Sequence, residues 1–127
     1  MSLHRRNPRN KYGAKPHRVD GILFASIAEA RRYCELKILE KAGQIEDLEL
    51  QPVFVLIAPQ PFGGMPSLGI QYPESTIGKY IGDFKYFDKC QQRCVVEDVK
   101  GFKTPLYRWK KKHVEAQYGI TVVEIEI

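Results

Sequence analysis

Apolar residues follow a helical spacing between positions 27 and 42 of the chain. The residues with this spacing are Ile27, Ala30, Cys34, Ile38 and Ala42. Ser26, with Glu29 three residues later, matches the capping-box sequence that starts a helix. Gly43 is a residue that commonly ends one. The pattern therefore predicts a first helix between Ser26 and Gly43.

A second helix is predicted from residue 104 to about residue 118. Thr104 suits a helix N-cap, Pro105 suits the first helical position, and Gly119 suits the end. The residues expected to face the core are Leu106, Trp109, His113 and Tyr118. The residues expected to face solvent are Arg108, Lys111 and Lys112.

Four β-rich stretches accompany the helices. The predicted strands cover residues 48–58, 80–88, 93–101 and 120–127. Residues 59–79 are rich in proline and glycine and predict a long loop. KCQQ, at 89–92, predicts a hairpin loop. The order helix, strand, strand, strand, helix, strand predicts a mixed sheet with helices packed on it, which is an α/β domain.

Length and composition indicate one folded domain preceded by a short arm. The 127 residues are 43% hydrophobic and 28% charged, a balance typical of globular proteins. Residues 1–18 lack hydrophobic periodicity and predict a flexible basic arm, so the domain is predicted to cover residues 19–127. No apolar run approaches the ~20 residues of a membrane span, and no signal peptide is visible. These features predict a cytoplasmic protein that has no membrane partner.

The three cysteines predict reduced thiols rather than a zinc site. Cys34, Cys90 and Cys94 are an odd number without the spacing of a zinc motif. A site built from Cys90 and Cys94 would need two further ligands, and none can be located in the sequence.

Positive charge is concentrated in two segments of a chain whose net charge is +5. The cations of the first segment are Arg5, Arg6, Arg9, Lys11, Lys15 and Arg18, with no acid among the first 18 residues. The cations of the second segment are Lys100, Lys103, Arg108, Lys110, Lys111 and Lys112. Two such segments suit a polyanion such as nucleic acid, and they equally suit a solvated tail and a solvated helix face.

Charged residues also end the third predicted strand, in the stretch VVEDVK. If KCQQ is a four-residue loop, residue 88 pairs with 93, and the same register places Asp83 opposite Asp98. Adjacent carboxylates repel unless a cation lies between them, and Mg²⁺ prefers such oxygen ligands. Lys100 lies on the same face of the strand as Asp98 because side chains alternate.

Two alternatives remain for these acids. A loop or bulge of different length would pair Asp83 with Glu97 instead. Asp98 could also form a simple salt bridge with Lys100 or Lys85 at a solvated strand end.

Asp83, fourteen further residues and then Asp98-Val99-Lys100 resemble the signature of the PD-(D/E)XK nucleases, and the element order resembles their αβββαβ core. NKYGAK, FASIAEARRY, LELQP, YIGDFKYFD and VVEDVKGFKT are similar to segments of a family of small phage and prophage proteins of unknown function in that superfamily. The family is regarded as similar to Holliday-junction resolvases. Gly82 stands where a proline often precedes the first aspartate, a position without a chemical role.

The resemblance implies a Mg²⁺-dependent (or Mn²⁺-dependent) DNA endonuclease. Asp83, Asp98 and the backbone carbonyl of Val99 would bind the metal, and Lys100 would orient the nucleophile. The family pattern adds a carboxylate on the first helix, which Glu29 matches; its alternative role is only to cap the helix. Gln51 is either a site-organising amide or the polar start of a strand.

DNA is the partner that the same resemblance implies. The residues expected to contact its phosphates are Lys103, Arg108, Lys111 and Lys112, with Arg5, Arg6 and Arg9 of the arm. Two symmetric cuts in a four-way junction would favour a homodimer. The alternatives are a non-catalytic DNA-binding protein on a nuclease-like scaffold and a module that binds acidic proteins.

Overall fold

The computed structural model of the chain describes residues 15–59 and 74–126. The chain divides into two compact units, Met1–Gln44 and Ile45–Ile127. The described part of the first unit contains β1 (His17–Val19), β2 (Ile22–Phe24) and α1 (Ile27–Lys41). The second unit contains β3 (Ile45–Leu50), β4 (Val53–Pro59), β5 (Glu74–Ile81), β6 (Phe84–Asp88), β7 (Arg93–Lys100), α2 (Pro105–Tyr118) and β8 (Val122–Glu126).

The described part of the first unit begins with a small hairpin. Strands β1 and β2 pair in antiparallel fashion around Asp20 and Gly21, whose φ angles are 51° and 75°. Asp20 accepts a hydrogen bond from the Tyr33 hydroxyl at 3.1 Å, which ties the turn to α1. The predicted arm, 1–18, therefore extends too far, because its last two residues belong to β1. Residues 1–14 lie outside the described residues.

Helix α1 begins and ends close to the predicted positions, but it buries a different face. Ser26 is the N-cap, and its hydroxyl accepts the Glu29 N–H at 3.1 Å. The buried side chains are Ala30, Tyr33 and Leu36, whereas three of the residues predicted to form the apolar stripe, Ile27, Cys34 and Ile38, are exposed. Apolar residues occur all around this helix, so periodicity alone selects no single face.

A four-stranded mixed sheet forms the centre of the second unit. Its strand order is β3-β6-β7-β8; β6 is antiparallel to β3 and β7, and β7 is parallel to β8. Helix α2 connects the two parallel strands, as the predicted strand–helix–strand crossover requires. The α/β class predicted from the sequence is therefore confirmed. No helix among the described residues is long and apolar enough to span a membrane.

Two of the predicted strands are each broken into two. Gln51 (φ 51°) and Pro52 separate β3 from β4, and Gly82 and Asp83 separate β5 from β6. The outer pieces, β4 and β5, pair with each other in a separate two-stranded sheet. The predicted loop at 59–79 is consequently wrong at 59, which ends β4, and at 74–79, which belong to β5, while 60–73 lie outside the described residues. Without the hairpins β1–β2 and β4–β5, the remaining order is α1-β3-β6-β7-α2-β8.

Gly82 lies in the second of these breaks and packs against strand β7. Its N–H donates to the Pro52 carbonyl at 3.0 Å, and a Cβ atom added to it would approach the Val96 side chain to 3.0 Å. A proline at this position would remove that hydrogen bond. Glycine therefore suits this position better than a proline would.

Helix α2 packs on the β4–β5 hairpin and on strands β7 and β8 of the mixed sheet. The buried cluster between them consists of Phe54, Leu56, Tyr80, Val96, Tyr107, Val114 and Val122. The helix has the predicted ends, with Thr104 as N-cap and Gly119 (φ 65°) as C-cap. Its predicted core face is wrong, because Leu106, Trp109 and Tyr118 are exposed. The helix carries apolar residues on two sides, and the side with Tyr107 and Val114 is the buried one.

Candidate active site

Asp83 lies in the break between β5 and β6, beside the charged end of β7. The predicted hairpin register is confirmed from Asp88↔Arg93 to Phe84↔Glu97. The ladder then ends, and the Asp83 N–H donates to the Glu97 carbonyl at 2.9 Å. The Asp83 carboxylate accepts the Val99 N–H at 2.6 Å. Asp83 is thus fixed against the backbone next to Asp98 without forming a regular ladder pair with it.

Asp98 is buried, and each oxygen of its carboxylate has a polar partner. It is 2% exposed; one carboxylate oxygen accepts the Tyr80 hydroxyl at 2.6 Å and the other lies 3.2 Å from the Lys100 Nζ. The predicted alternative of a salt bridge to Lys100 is therefore present, but the carboxylate is buried rather than solvated. A buried carboxylate costs several kcal/mol unless such partners compensate it. Lys85, the other candidate partner, lies 4.0 Å from Glu49.

Glu97 occupies the opposite face of β7 from Asp98. It is 1% exposed and accepts a hydrogen bond from the Tyr86 hydroxyl. Tyr86 pairs with Val95, so its side chain lies on the face that Glu97 shares. The alternation of side chains thus separates Glu97 from Lys100 and leaves Asp98 as the acid beside the lysine.

Lys100 connects the buried acid to the surface. Its Nζ lies 4.5 Å from the centre of the Tyr107 ring, within the range of a cation–π contact. The lysine lines a surface cavity of about 290 Å³. The other lining residues are Gly101, Phe102, Lys103, Arg108 and Glu126. A phosphate group could therefore reach the Lys100 ammonium from this cavity.

The two tyrosines beside Asp98 remain protonated to unusually high pH. Burial, followed by the charge of Asp98, raises the pKa of the Tyr80 hydroxyl far above its usual value of 10.0, and Asp83 adds to the effect. Burial and Asp98 also raise the pKa of Tyr107. Both phenols are therefore neutral wherever the protein is folded near neutral pH.

These tyrosines should make the protein less stable in alkali. An unfolded tyrosine loses its proton near pH 10, whereas folded Tyr80 keeps it, so the free energy of unfolding should fall as pH rises above about 10. Tyr80→Phe cannot ionise and should show a shallower alkaline decline. Urea unfolding from pH 8 to 11 tests this; identical slopes for the two proteins would contradict it.

The cations predicted to bind DNA divide into two pairs with different surroundings. Lys103 lies 3.2 Å from Glu124 and 3.4 Å from Glu126, and hydrogen bonds to these acids raise its pKa. Lys111 lies 3.8 Å from Glu115 and 3.6 Å from Glu124. Burial works against ionisation of Glu124, but Lys103 and Lys111 outweigh it and lower the pKa of this carboxyl.

Arg108 and Lys112 form the second pair and are both exposed on α2. Among the described residues neither takes part in a salt bridge. Both line a second surface cavity of about 330 Å³, which shares Lys103 and Arg108 with the first. The two cavities thus extend from Lys100 along the helix.

The remaining predicted site residues are Glu29, Gln51 and the three arginines of the arm. Glu29 belongs to the first unit, where its N–H forms the predicted capping bond; a role for its side chain beside Asp83 stays a prediction. Gln51 is exposed, and its N–H donates to the Asp83 carbonyl at 2.9 Å, so its backbone orders the break. Arg5, Arg6 and Arg9 lie outside the described residues.

The donor set suits a sparsely ligated hard cation. Asp83 and Asp98 offer carboxylate oxygens, and Mg²⁺ commonly takes one or two carboxylates while water and substrate phosphates complete its shell. Within 15–59 and 74–126, no group of three or more His, Cys, Asp or Glu residues is arranged to hold a metal. Cys34, Cys90 and Cys94 are free and exposed.

A family model described as "Protein of unknown function (DUF1064)" matches residues 9–124 of the chain. The chain belongs to the DUF1064 family. Neither the curated proteins nor the solved structures give a match. The family description names no activity, so any proposed function of this DUF1064 protein rests on its own residues.

Tyr80 is the site residue that sequence reasoning missed in this DUF1064 protein. The sequence pattern puts it in the same strand as Asp83, but the break at Gly82 turns β5 onto α2 and brings its hydroxyl to Asp98. Tyr86 and Tyr107 were missed as well. A buried carboxylate generally has a hydrogen-bond partner, so the position of Asp98 in a core strand is the signal that points to a nearby tyrosine hydroxyl.

Proposed function

We propose that the protein is a metal-dependent DNA endonuclease of the PD-(D/E)XK type that acts in the cytoplasm on phage or prophage DNA. The observation that carries the proposal is the Asp98–Lys100 pair, a buried carboxylate beside a lysine that opens into a cationic surface cavity. Such a combination is costly to fold and is characteristic of functional sites. The order α1-β3-β6-β7-α2-β8 supports the same superfamily.

The residues have distinct roles in the proposed mechanism. Asp83, Asp98 and the Val99 carbonyl would hold Mg²⁺ or Mn²⁺. A bound ion of this kind lowers the pKa of water and offsets charge on the transferred phosphoryl group. Lys100 orients the attacking water or stabilises the oxygens of the pentavalent phosphorus. Tyr80 fixes the Asp98 carboxylate by donating to one of its oxygens.

A non-catalytic DNA-binding protein is the second candidate. Both oxygens of Asp98 already have partners in Tyr80 and Lys100, so the acid is compensated without a metal. On this hypothesis the triad of Asp83, Asp98 and Lys100 stabilises the scaffold, and the exposed cations of α2 provide the function. The third candidate, a module for acidic proteins, would use the same cations.

Cleavage assays separate the candidates. Purified protein is incubated with a four-way junction, a flap and a linear duplex of matched length, each with Mg²⁺, Mn²⁺ or EDTA. The nuclease hypothesis expects cleavage with either metal and none with EDTA, and paired symmetric nicks in the junction would indicate a homodimer. Salt-dependent binding without cleavage under any condition would favour the non-catalytic protein. Absence of binding would exclude DNA as the partner.

The exposed cations should contribute more to DNA binding than the paired ones. Arg108→Ala with Lys112→Ala should lower duplex affinity and flatten its salt dependence by about one logarithmic unit of slope for each phosphate that the protein no longer neutralises. Lys103→Ala with Lys111→Ala should have a smaller effect, because these lysines already neutralise Glu115, Glu124 and Glu126. Fluorescence anisotropy between 50 and 200 mM salt, roughly the range in which phosphate binding is most visible, measures both. Equal slopes for the two double variants would contradict the distinction.

A further inference from the structure

An exposed apolar stripe follows the proposed site along α2. Phe102 is 60% exposed, Leu106 60% and Trp109 48%. Phe102 precedes the helix, and Leu106 and Trp109 are three positions apart, so the last two share a helix face. Trp109 also lies beside His113, with ring centroids 5.4 Å apart and the rings tilted by 38°. A tryptophan left half in water within an exposed apolar stripe suggests a binding role.

The cations next to this stripe indicate the chemistry of its partner. Arg108 directly precedes Trp109 in the sequence, Lys112 follows it by three residues and so neighbours it on the helix surface, and both cations are exposed. Phe102 lines the same cavity as Lys100 and Arg108. Aromatic side chains interleaved with exposed cations are the arrangement that proteins use for single strands, because bases stack on the rings while phosphates meet the cations. A second copy of the chain would bring like charges together at this surface.

We propose that this stripe is a stacking platform for unpaired nucleobases. This inference rests on the proposed function and names its substrate class, which is DNA with unpaired nucleotides beside the phosphate that is cut. Trp109 and Phe102 stack on bases, Arg108 and Lys112 bind the adjoining phosphates, and the strand continues through the cavity to Lys100. Stacked bases of a closed duplex present no free face to these rings, so fully paired DNA is held through its phosphates alone.

The chain contains one tryptophan, so emission excited at the red edge of the absorption band, where tyrosine does not absorb, reports on Trp109 alone. With EDTA present, an oligothymidine strand should quench the emission and shield Trp109 from acrylamide. A blunt duplex with the same number of phosphates should bind without either effect. Equal quenching by the two DNAs would overturn the inference. A change in Trp109 emission that depends only on protein concentration would also overturn the inference, because it would indicate that the stripe contacts a second copy of the chain.

Substitutions provide the second arm of the test. Trp109→Ala should weaken binding of the single strand by about 5- to 100-fold, the range expected for removal of one base stack, and leave duplex affinity within about twofold. Trp109→Phe should restore most of the affinity. Ile77→Ala, which removes an exposed apolar side chain from β5, is the matched control and should change nothing. Anisotropy of labelled DNA measures binding, and thermal melts check that each variant is folded.

The two proposals fail in distinguishable ways. Unchanged single-strand affinity in folded Trp109→Ala overturns the stacking platform and leaves the nuclease proposal intact. Stacking without cleavage in Mg²⁺ or Mn²⁺ overturns the nuclease and leaves the platform intact. A protein that binds neither DNA overturns both.

Discussion

Replacing Asp98 with asparagine is expected to lower the rate of DNA cleavage by at least about 10²–10³-fold while DNA still binds. The amide has nearly the shape of the carboxylate and can still accept the Tyr80 hydrogen bond. It lacks the charge that would hold a metal and that lies 3.2 Å from the Lys100 ammonium. DNA affinity should persist or rise slightly, because one negative charge near the phosphates is removed. Single-turnover cleavage and anisotropy under matched Mg²⁺ measure the two quantities.

Glu97→Gln is the matched control for this substitution. Glu97 is the neighbouring residue, is equally buried and also accepts from a tyrosine, but it lies on the other face of β7. Its amide variant should retain cleavage, with any decrease explained by the fraction of folded protein. If Glu97→Gln abolishes cleavage and Asp98→Asn does not, Glu97 is the second acid. Undiminished activity in both variants would assign the activity to a different site or to a contaminant.

Replacing Leu56 with alanine is expected to destabilise the fold by about 2–5 kcal/mol. Leu56 is 0% exposed and lies in the cluster that joins the β4–β5 hairpin to α2. Truncating the side chain there removes apolar burial and leaves a cavity beside Tyr80 and Val114. Urea unfolding followed by circular dichroism gives the free energy of unfolding directly.

Val55→Ala is the control in the same strand. Val55 points to the exposed side of β4, and its carbonyl, which accepts from Tyr118, is unchanged by the substitution. The decrease in stability should stay below about 1 kcal/mol. Equal decreases for Leu56→Ala and Val55→Ala would mean that the hairpin does not pack on α2 as described. Because Tyr80 belongs to this hairpin, Leu56→Ala should also reduce cleavage at temperatures where the protein remains mostly folded.

Local chemistry explains which elements could be predicted from the sequence. Thr104, Pro105 and Gly119 define the ends of α2 through hydrogen bonds and backbone angles that depend only on nearby residues. The hairpin register followed from KCQQ because a four-residue loop fixes which residues pair on either side. These features do not depend on the rest of the fold, so sequence reasoning could place them.

The strand breaks and the buried helix faces depend on distant residues. Gln51 adopts a φ of 51°, which costs energy for a side chain other than glycine and is maintained by the carbonyl of Asp83, far along the chain. Pro52 indicated a boundary but did not show that the chain leaves one sheet for another. The exposure of Trp109 likewise depends on which side of α2 meets the β4–β5 hairpin. Helical periodicity cannot choose between two apolar sides.

The candidate site was predicted in part. The common strand face of Asp98 and Lys100 follows from alternation and needs no tertiary information. The position of Asp83 beside the Val99 amide required the bend at Gly82, and the Tyr80 contact required the hairpin to fold over β7. The capping bond of Glu29 depends only on nearby residues and could be predicted. Its proposed catalytic role depends on distant residues and stays a prediction.

The adjacent acids on opposite faces of β7 restrict how the sequence can diverge. In many enzymes an acid can migrate to a neighbouring position during evolution while the reaction is retained. Here a one-residue shift along β7 would carry the carboxylate through the sheet, away from Lys100 and to the side of Tyr86. The carboxylate could move to a new position on the correct side only by a two-residue step or from another strand. Single substitutions within VVEDVK should therefore exchange one buried charge for another without ever transferring the proposed catalytic role from Asp98 to Glu97.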